Sequence, residues 1–230
     1  FFAEEGKMAK FGNRSLRASI AFAVCCFGSP SLAYDWGQAL NAGNPNLNQG
    51  MIVAQAAPKD YAAFFAALRH KESRGDYQAV NTLNFLGAYQ FGEAALIDLG
   101  YVRRDGDIYD NNFGGGFSGK NGIRSVQGFL RSSQVQDDAA EEWMRIMWRY
   151  IEAEGLHRYA WQEVGGQTLS PSGMLAATHL LGSGALKRFV ESNGRADIRD
   201  PYGMPLNVYI RDLGGFEIPF APRQPRSTSS

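Results

Sequence analysis

Cysteine is almost missing from this chain. Only Cys25 and Cys26 occur among 230 residues, and both fall in an apolar run that reads as an export signal. The domain left after export would hold no disulfide and would rest on its core alone. An excess of either charge is missing too, since Lys plus Arg and Asp plus Glu number 23 each. That balance lacks the basic surplus a nucleic-acid backbone asks for, so no nucleic acid is expected as partner. Histidine is scarce: His70, His157 and His179 are scattered without the i, i+4 pairing of a helical zinc site, which speaks against a metal centre. The apolar run 18–27 is too short to span a bilayer. Hydrophobic content of 44% is nevertheless ample for one packed domain.

Several motifs begin and then fail. Gly114 through Lys120 match the first seven places of a phosphate-binding loop, but Asn121 stands where the magnesium-binding hydroxyl belongs, and no buried strand precedes it. Asp105, Asp107 and Asp110 suggest a calcium loop, yet Tyr109 takes its fifth place and Gly116 its twelfth, where a carboxylate is needed. No Gly-x-Ser-x-Gly turn appears, and the exported part has no cysteine nucleophile. No cofactor is expected.

The organisation reads in four parts. Residues 1–33 combine an extension ahead of Met8 with Lys10, Arg14 and Arg17, an apolar centre and Ser31-Leu32-Ala33, the three-part logic of a secretory signal. The expected location is therefore outside the cytoplasm, periplasmic or extracellular. Phe22-Ala23-Val24 fits poorly as the approach to a lipid-anchored cysteine. Residues 34–57, rich in Asn, Gly and Ala, read as a linker or arm that could meet an envelope protein partner. A compact domain is expected over 58–218 and a disordered tail over 219–230.

Within the domain the pattern is mainly helical. Apolar periodicity predicts helices over 59–72, 93–99, 133–154, 172–181, 185–191 and 206–213, with 133–154 as a central core helix. Asn, Gly and aromatics over 76–91 suit an irregular or hairpin region. The glycine-rich stretch 101–122 reads as a long loop, functional or mobile.

The first of these helices ends on a residue that does not belong to its stripe. Tyr61, Phe64, Phe65 and Leu68 follow the i, i+3, i+4, i+7 spacing of a buried face, and one more turn lands on Glu72. Burial would strip that carboxylate of water, raise its pKa and suit it to act as a general acid near neutral pH. The competing expectation is a Glu72 that swings outward at a frayed helix end. Asp76, the next carboxylate in sequence, sits beside an Arg-Gly turn and reads as a solvated turn residue.

Glu72-Ser73, followed some fifteen residues later by Gly87-Ala88-Tyr89-Gln90-Phe91, resembles the lysozyme-like clan of peptidoglycan-cleaving enzymes, lytic transglycosylases and goose-type lysozymes in particular. Ala88 and Tyr89 replace the usual Leu and Met of that element, and His179, in Ala176 to Gly182, stands where these enzymes carry an aromatic. The glycine-rich Phe117 to Ile123, the helix 136–150, and Asp200, Gly203 and Tyr209 complete the order of pieces.

The resemblance implies an α+β lysozyme-like fold, mainly α, with the irregular region beside a cleft. It further implies cleavage between N-acetylmuramic acid and N-acetylglucosamine of peptidoglycan strands, with Glu72 as acid and then base. Ser73, Tyr89, Gln90, Phe91 and His179 are the substrate-binding residues expected on this reading, His179 as a donor facing the cleft. A lysozyme-type hydrolase would add a second carboxylate about 5 to 9.5 Å away. The rival expectations are a non-catalytic peptidoglycan-binding module and a structural part of a cell-envelope machine.

Overall fold

The computed structural model describes residues 59–225. The expected signal, the arm, Pro58 and the last five residues of the tail lie outside the described residues.

The chain is mostly helical: α1 (Tyr61–Ser73), α2 (Glu93–Asp98), α3 (Val126–Leu130), α4 (Ser133–Ala153), α5 (Pro171–Leu181), α6 (Ser183–Glu191) and α7 (Leu206–Asp212), with one hairpin of β1 (Glu163–Val164) and β2 (Gln167–Thr168) between α4 and α5. Helices were expected at five of these places with ends displaced by at most two residues, and the first also falls where the stripe put it. The short α3 and the hairpin were not foreseen. In β1–β2 the turn is Gly165-Gly166 with both φ positive, the backbone state a tight two-residue connection demands. Two residues per strand are too few for an alternating pattern to show.

The centre belongs to α5 rather than to α4. Every α5 residue from Pro171 to Leu180 is buried, and small residues let its neighbours come close: a Cβ on Gly173 would stand 2.6 Å from the Ile210 carbonyl oxygen of α7. The longer α4 buries one face only, through Ala139, Ala140, Trp143, Met144, Met147 and Ile151, and leaves its charged face in water. Length and stripe marked α4, whereas α5 is apolar all round and has no stripe to read.

The segment 79–91 is held from both sides. Leu86 and Phe91 exchange backbone bonds of 2.9 Å, and Gly87 N donates to Ala79 O at 2.7 Å. Gln136 of α4, fully buried, accepts from Ala88 N at 2.9 Å and donates to Tyr77 O at 2.9 Å and Phe129 O at 3.0 Å. One side chain thus pairs backbone groups that would otherwise be buried without partners. The stretch 101–122 is likewise knit together, by a Val102–Phe117 bridge and by Lys120, whose Nζ reaches Leu99 O and Glu142 Oε2 at 2.7 Å each.

The tail leaves the domain later than expected. Half-buried Phe220 meets the Tyr61 ring edge-on at 6.0 Å and lies under Arg145 at 4.8 Å, and Trp161 Nε1 donates to Pro222 O at 2.7 Å. Composition pointed to disorder from Pro219, but one aromatic among polar residues suffices to anchor the first turn of the tail.

Gly87 carries a φ of +75°, and a Cβ there would lie 2.0 Å from Gln136 Oε1. Gly87→Ala is therefore expected to lower unfolding free energy by about 3 kcal/mol, through strain and the displaced Gln136 bonds. Urea unfolding measures this; a loss below about 0.5 kcal/mol would contradict it.

Candidate active site

Asp60 starts α1 by accepting from Ala63 N at 2.8 Å, and Arg74 ends it in the left-handed conformation, φ 60°. Between these caps the buried positions are Phe64, Leu68 and Glu72, four residues apart along one line. Tyr61 and Phe65 flank that line half-buried. The helix does not fray before Glu72, so the side chain turns inward and retains 0% exposed surface.

Side chains of two other helices meet the carboxyl group. Tyr209 of α7 donates its hydroxyl to Glu72 Oε1 at 3.2 Å. His179 of α5 places Nε2 at 3.7 Å from the same oxygen. Glu72 Oε2 is buried and has no hydrogen-bond partner among the described residues. Burial pushes the Glu72 pKa from 4.5 up to about 8; Tyr209 and Lys71 pull it down, and Asp200 pushes it further up. Burial also pushes His179 down from 6.5 to about 4, against the pull of the Tyr89 carbonyl. At neutral pH both groups are uncharged, so their approach is not an ion pair.

Hydrogen bonding fixes the His179 tautomer. Trp143 Nε1 can only donate and lies 3.3 Å from His179 Nδ1, so Nδ1 accepts and Nε2 carries the proton, directed at Tyr89 O at 3.0 Å. With no lone pair at Nε2, His179 cannot receive the Glu72 proton. It packs against the acid instead.

On its solvent side Glu72 borders a cleft of about 540 Å³, also lined by His70, Lys71, Ser73, Arg74, Asp76, Val80, Asn81 and Gln90. Lys71 is tied down, its Nζ 2.7 Å from Asp212 Oδ2 and 4.7 Å from the Tyr209 ring centre. Exposed Val80 adds an apolar wall. Thr82 and Tyr202 meet hydroxyl to hydroxyl at 2.8 Å, joining the segment of Val80 and Asn81 to the turn that carries Asp200. Among the described residues no group of three His, Cys, Asp or Glu side chains could hold a metal ion.

The expected binding residues divide. Ser73 borders the cleft and donates to Ala88 O at 2.9 Å, bracing α1 against the 79–91 segment. Gln90 borders it as well, held by Asn81 Nδ2 at 2.7 Å and by its own bond to Gly87 O at 2.9 Å. Tyr89 and Phe91 do not face the cleft. Tyr89, 1% exposed, sends its hydroxyl to Asp137 at 2.7 Å and accepts from Arg69 at 2.7 Å, and Phe91, equally buried, stacks among Tyr89 and Phe129. Both rings are core, the usual fate of aromatics in a segment buried on both sides. His179, at 1% exposure, is a buried neighbour of the acid and not a donor facing the cleft. Asp76 caps its own turn by accepting from Gln78 N at 2.8 Å and is exposed.

Sequence reasoning placed Tyr209 and Asp200 only in a C-terminal element and gave neither a role at the acid. The spacing of Tyr209 behind a turn could not show which helix it would meet. No family model matches the chain, and neither a curated protein nor a solved structure matches it. The site must be understood from its own geometry.

The raised pKa has a consequence for stability. The folded protein keeps the Glu72 proton up to about pH 8, whereas the carboxyl of the unfolded chain releases it near 4.5. Each pH unit between is worth about 1.4 kcal/mol at most. This contribution is intact at low pH and is lost as pH rises through that window. Glu72→Gln, with no proton to lose, should be more stable than wild type by on the order of a few kcal/mol at pH 8, the gap closing below about pH 4.5. His179 shifts stability the opposite way, losing it as pH falls from 6.5 toward 4, and does so in both proteins. Parallel Tm profiles for the two would contradict the burial of an acid at this position.

Proposed function

We propose that this domain cleaves the β-1,4 bond between N-acetylmuramic acid and N-acetylglucosamine in peptidoglycan, as a lytic transglycosylase of lysozyme-like fold acting outside the cytoplasm. The observation that carries this reading is a fully buried carboxyl, Glu72, at the wall of a cleft of about 540 Å³, where burial pushes its pKa up to about 8. A neutral acid at pH 7 has one proton to give, and a glycosidic oxygen is the kind of weakly basic leaving group that requires one.

The steps balance with one carboxyl group. Glu72 gives its proton to the glycosidic oxygen as the C1–O4 bond breaks, and the departing sugar leaves with a hydroxyl. Glu72, now an anion, takes the proton from the 6-hydroxyl of the remaining muramoyl unit while that oxygen bonds to C1. The product is a 1,6-anhydro ring, no water is consumed, and Glu72 ends protonated. A hydrolase would need a carboxylate placed to activate water, and Asp76 is spent on its own turn.

Exposed Val80 and half-buried Asn81 along the cleft suit the apolar and polar faces of a saccharide, while Gln90, buried and bonded to Asn81 and Gly87, braces them. Because the Glu72 side chain has no exposed surface, a glycan must displace part of the wall to reach it. The exposed Thr82–Tyr202 contact can open at little cost, since water can replace either hydroxyl partner. That same enclosure favours the second reading, a binding module that keeps the cleft and turns nothing over.

Purified cell walls incubated with wild type should release muropeptides with anhydro ends by mass spectrometry. Glu72→Gln should lower that rate by at least about 100-fold while leaving the fold intact. Reducing ends would make the enzyme a hydrolase, cosedimentation without soluble product would make it a binding module, and full activity in Glu72→Gln would remove the proposal.

A further inference from the structure

Arg74 is a cation on the cleft wall that the fold leaves unspent. It lines the same cleft as Glu72, two residues on, and is exposed. Among the described residues its guanidinium has no ion pair and no hydrogen-bond acceptor. The charges beside it are already engaged. Lys71 is held by Asp212 at 2.7 Å, Asp76 turns Oδ1 to Gln78 N at 2.8 Å and forms no ion pair with Arg74, and burial keeps Glu72 neutral at pH 7.

The backbone supplies a second observation. Arg74 takes the left-handed cap of α1 with φ 60°, and its N–H closes the helix on His70 O at 3.0 Å. Helices most often give that place to glycine, which has no Cβ to crowd the turn. Here glycine comes one residue late, as Gly75 with φ +84°. A long charged side chain held in a sparsely populated backbone state points to work done by that side chain. His70, four residues earlier and so on the same helix face, lines the same wall.

We propose that Arg74 receives a carboxylate of the substrate's peptide, so that the cleft takes glycan strands whose muramoyl units still carry charged stem peptides. The inference rests on the cleft being the glycan site of the proposed cleavage. The aminosugar backbone alone offers a guanidinium only hydroxyls and neutral amides. The peptide hung from the lactyl group of a muramoyl unit offers carboxylates, and the planar fork of Arg takes a carboxylate through two parallel bonds. One wall thus carries both the acid for the glycosidic oxygen and a cation for what hangs beside it.

Cosedimentation of the full chain carrying Glu72→Gln, in the cold, compares intact cell walls with walls whose carboxylates have been amidated. Amidation should weaken binding roughly tenfold. Adding Arg74→Gln should weaken binding to intact walls by the same factor and leave binding to amidated walls unchanged, and salt should narrow the difference between the two kinds of wall. Arg74→Gly suits the cap at least as well as Arg, so it should bind as weakly as Arg74→Gln with a Tm no lower than that of its parent, which separates the charge from the fold. Walls stripped of peptide by an amidase keep only the lactyl carboxylate. Binding to them as weak as to amidated walls places the anion on the peptide; undiminished binding overturns that assignment. An equal loss on intact and amidated walls in Arg74→Gln, or no loss on either, overturns the inference. Charge-dependent binding by a chain that releases no muropeptide with Glu72 restored supports it and defeats the cleavage reading alone.

Discussion

A carboxyl group taken out of water keeps its proton because no solvent is left to stabilise the ion. In this protein that exchange is forced on Glu72, and the surrounding architecture serves to force it. The line Phe64, Leu68, Glu72 aims the side chain inward; α5 supplies a neutral imidazole and α7 a phenol in place of water. Desolvation outweighs the hydrogen bond and the nearby ammonium that would favour the ion. The outcome is an acid that remains an acid at neutral pH.

Holding such a group requires neighbours that are themselves immobile, and the hydrogen-bond pattern shows how this is done. Trp143 fixes the His179 ring, His179 fixes the Tyr89 carbonyl, and the Tyr89 hydroxyl is fixed in turn by Asp137 and Arg69. Gln136 holds the backbone of the same segment from below. These contacts join α1, α4 and α5 to the irregular 79–91 stretch without a sheet. The second half of that stretch, 85–91, is thereby buried throughout although periodicity describes it poorly.

How much of this could be read from the chain varies with the physics of each part. Amphipathic helices announced themselves, α4 above all, because a stripe against a polar background is a local property. The same logic found Glu72, since a charged residue on an apolar line is visible without any partner. It failed for Tyr89 and Phe91: an aromatic beside an expected site has the same letter whether it faces sugar or core. It failed too for His179, whose tautomer depends on Trp143, 36 positions away. Tyr209 lies more than a hundred residues from Glu72, and the packing of α7 on α5 brings it there.

The mostly helical body and the cleft are features of the structure; the glycan-cleaving reading depends on a proton being where the geometry puts it. Infrared difference spectroscopy of wild type minus Glu72→Gln reads that proton directly. The account predicts the carbonyl stretch of a neutral carboxylic acid at pH 7, fading as the pH is raised past about 8. A carboxylate signal already complete at pH 6 would contradict it.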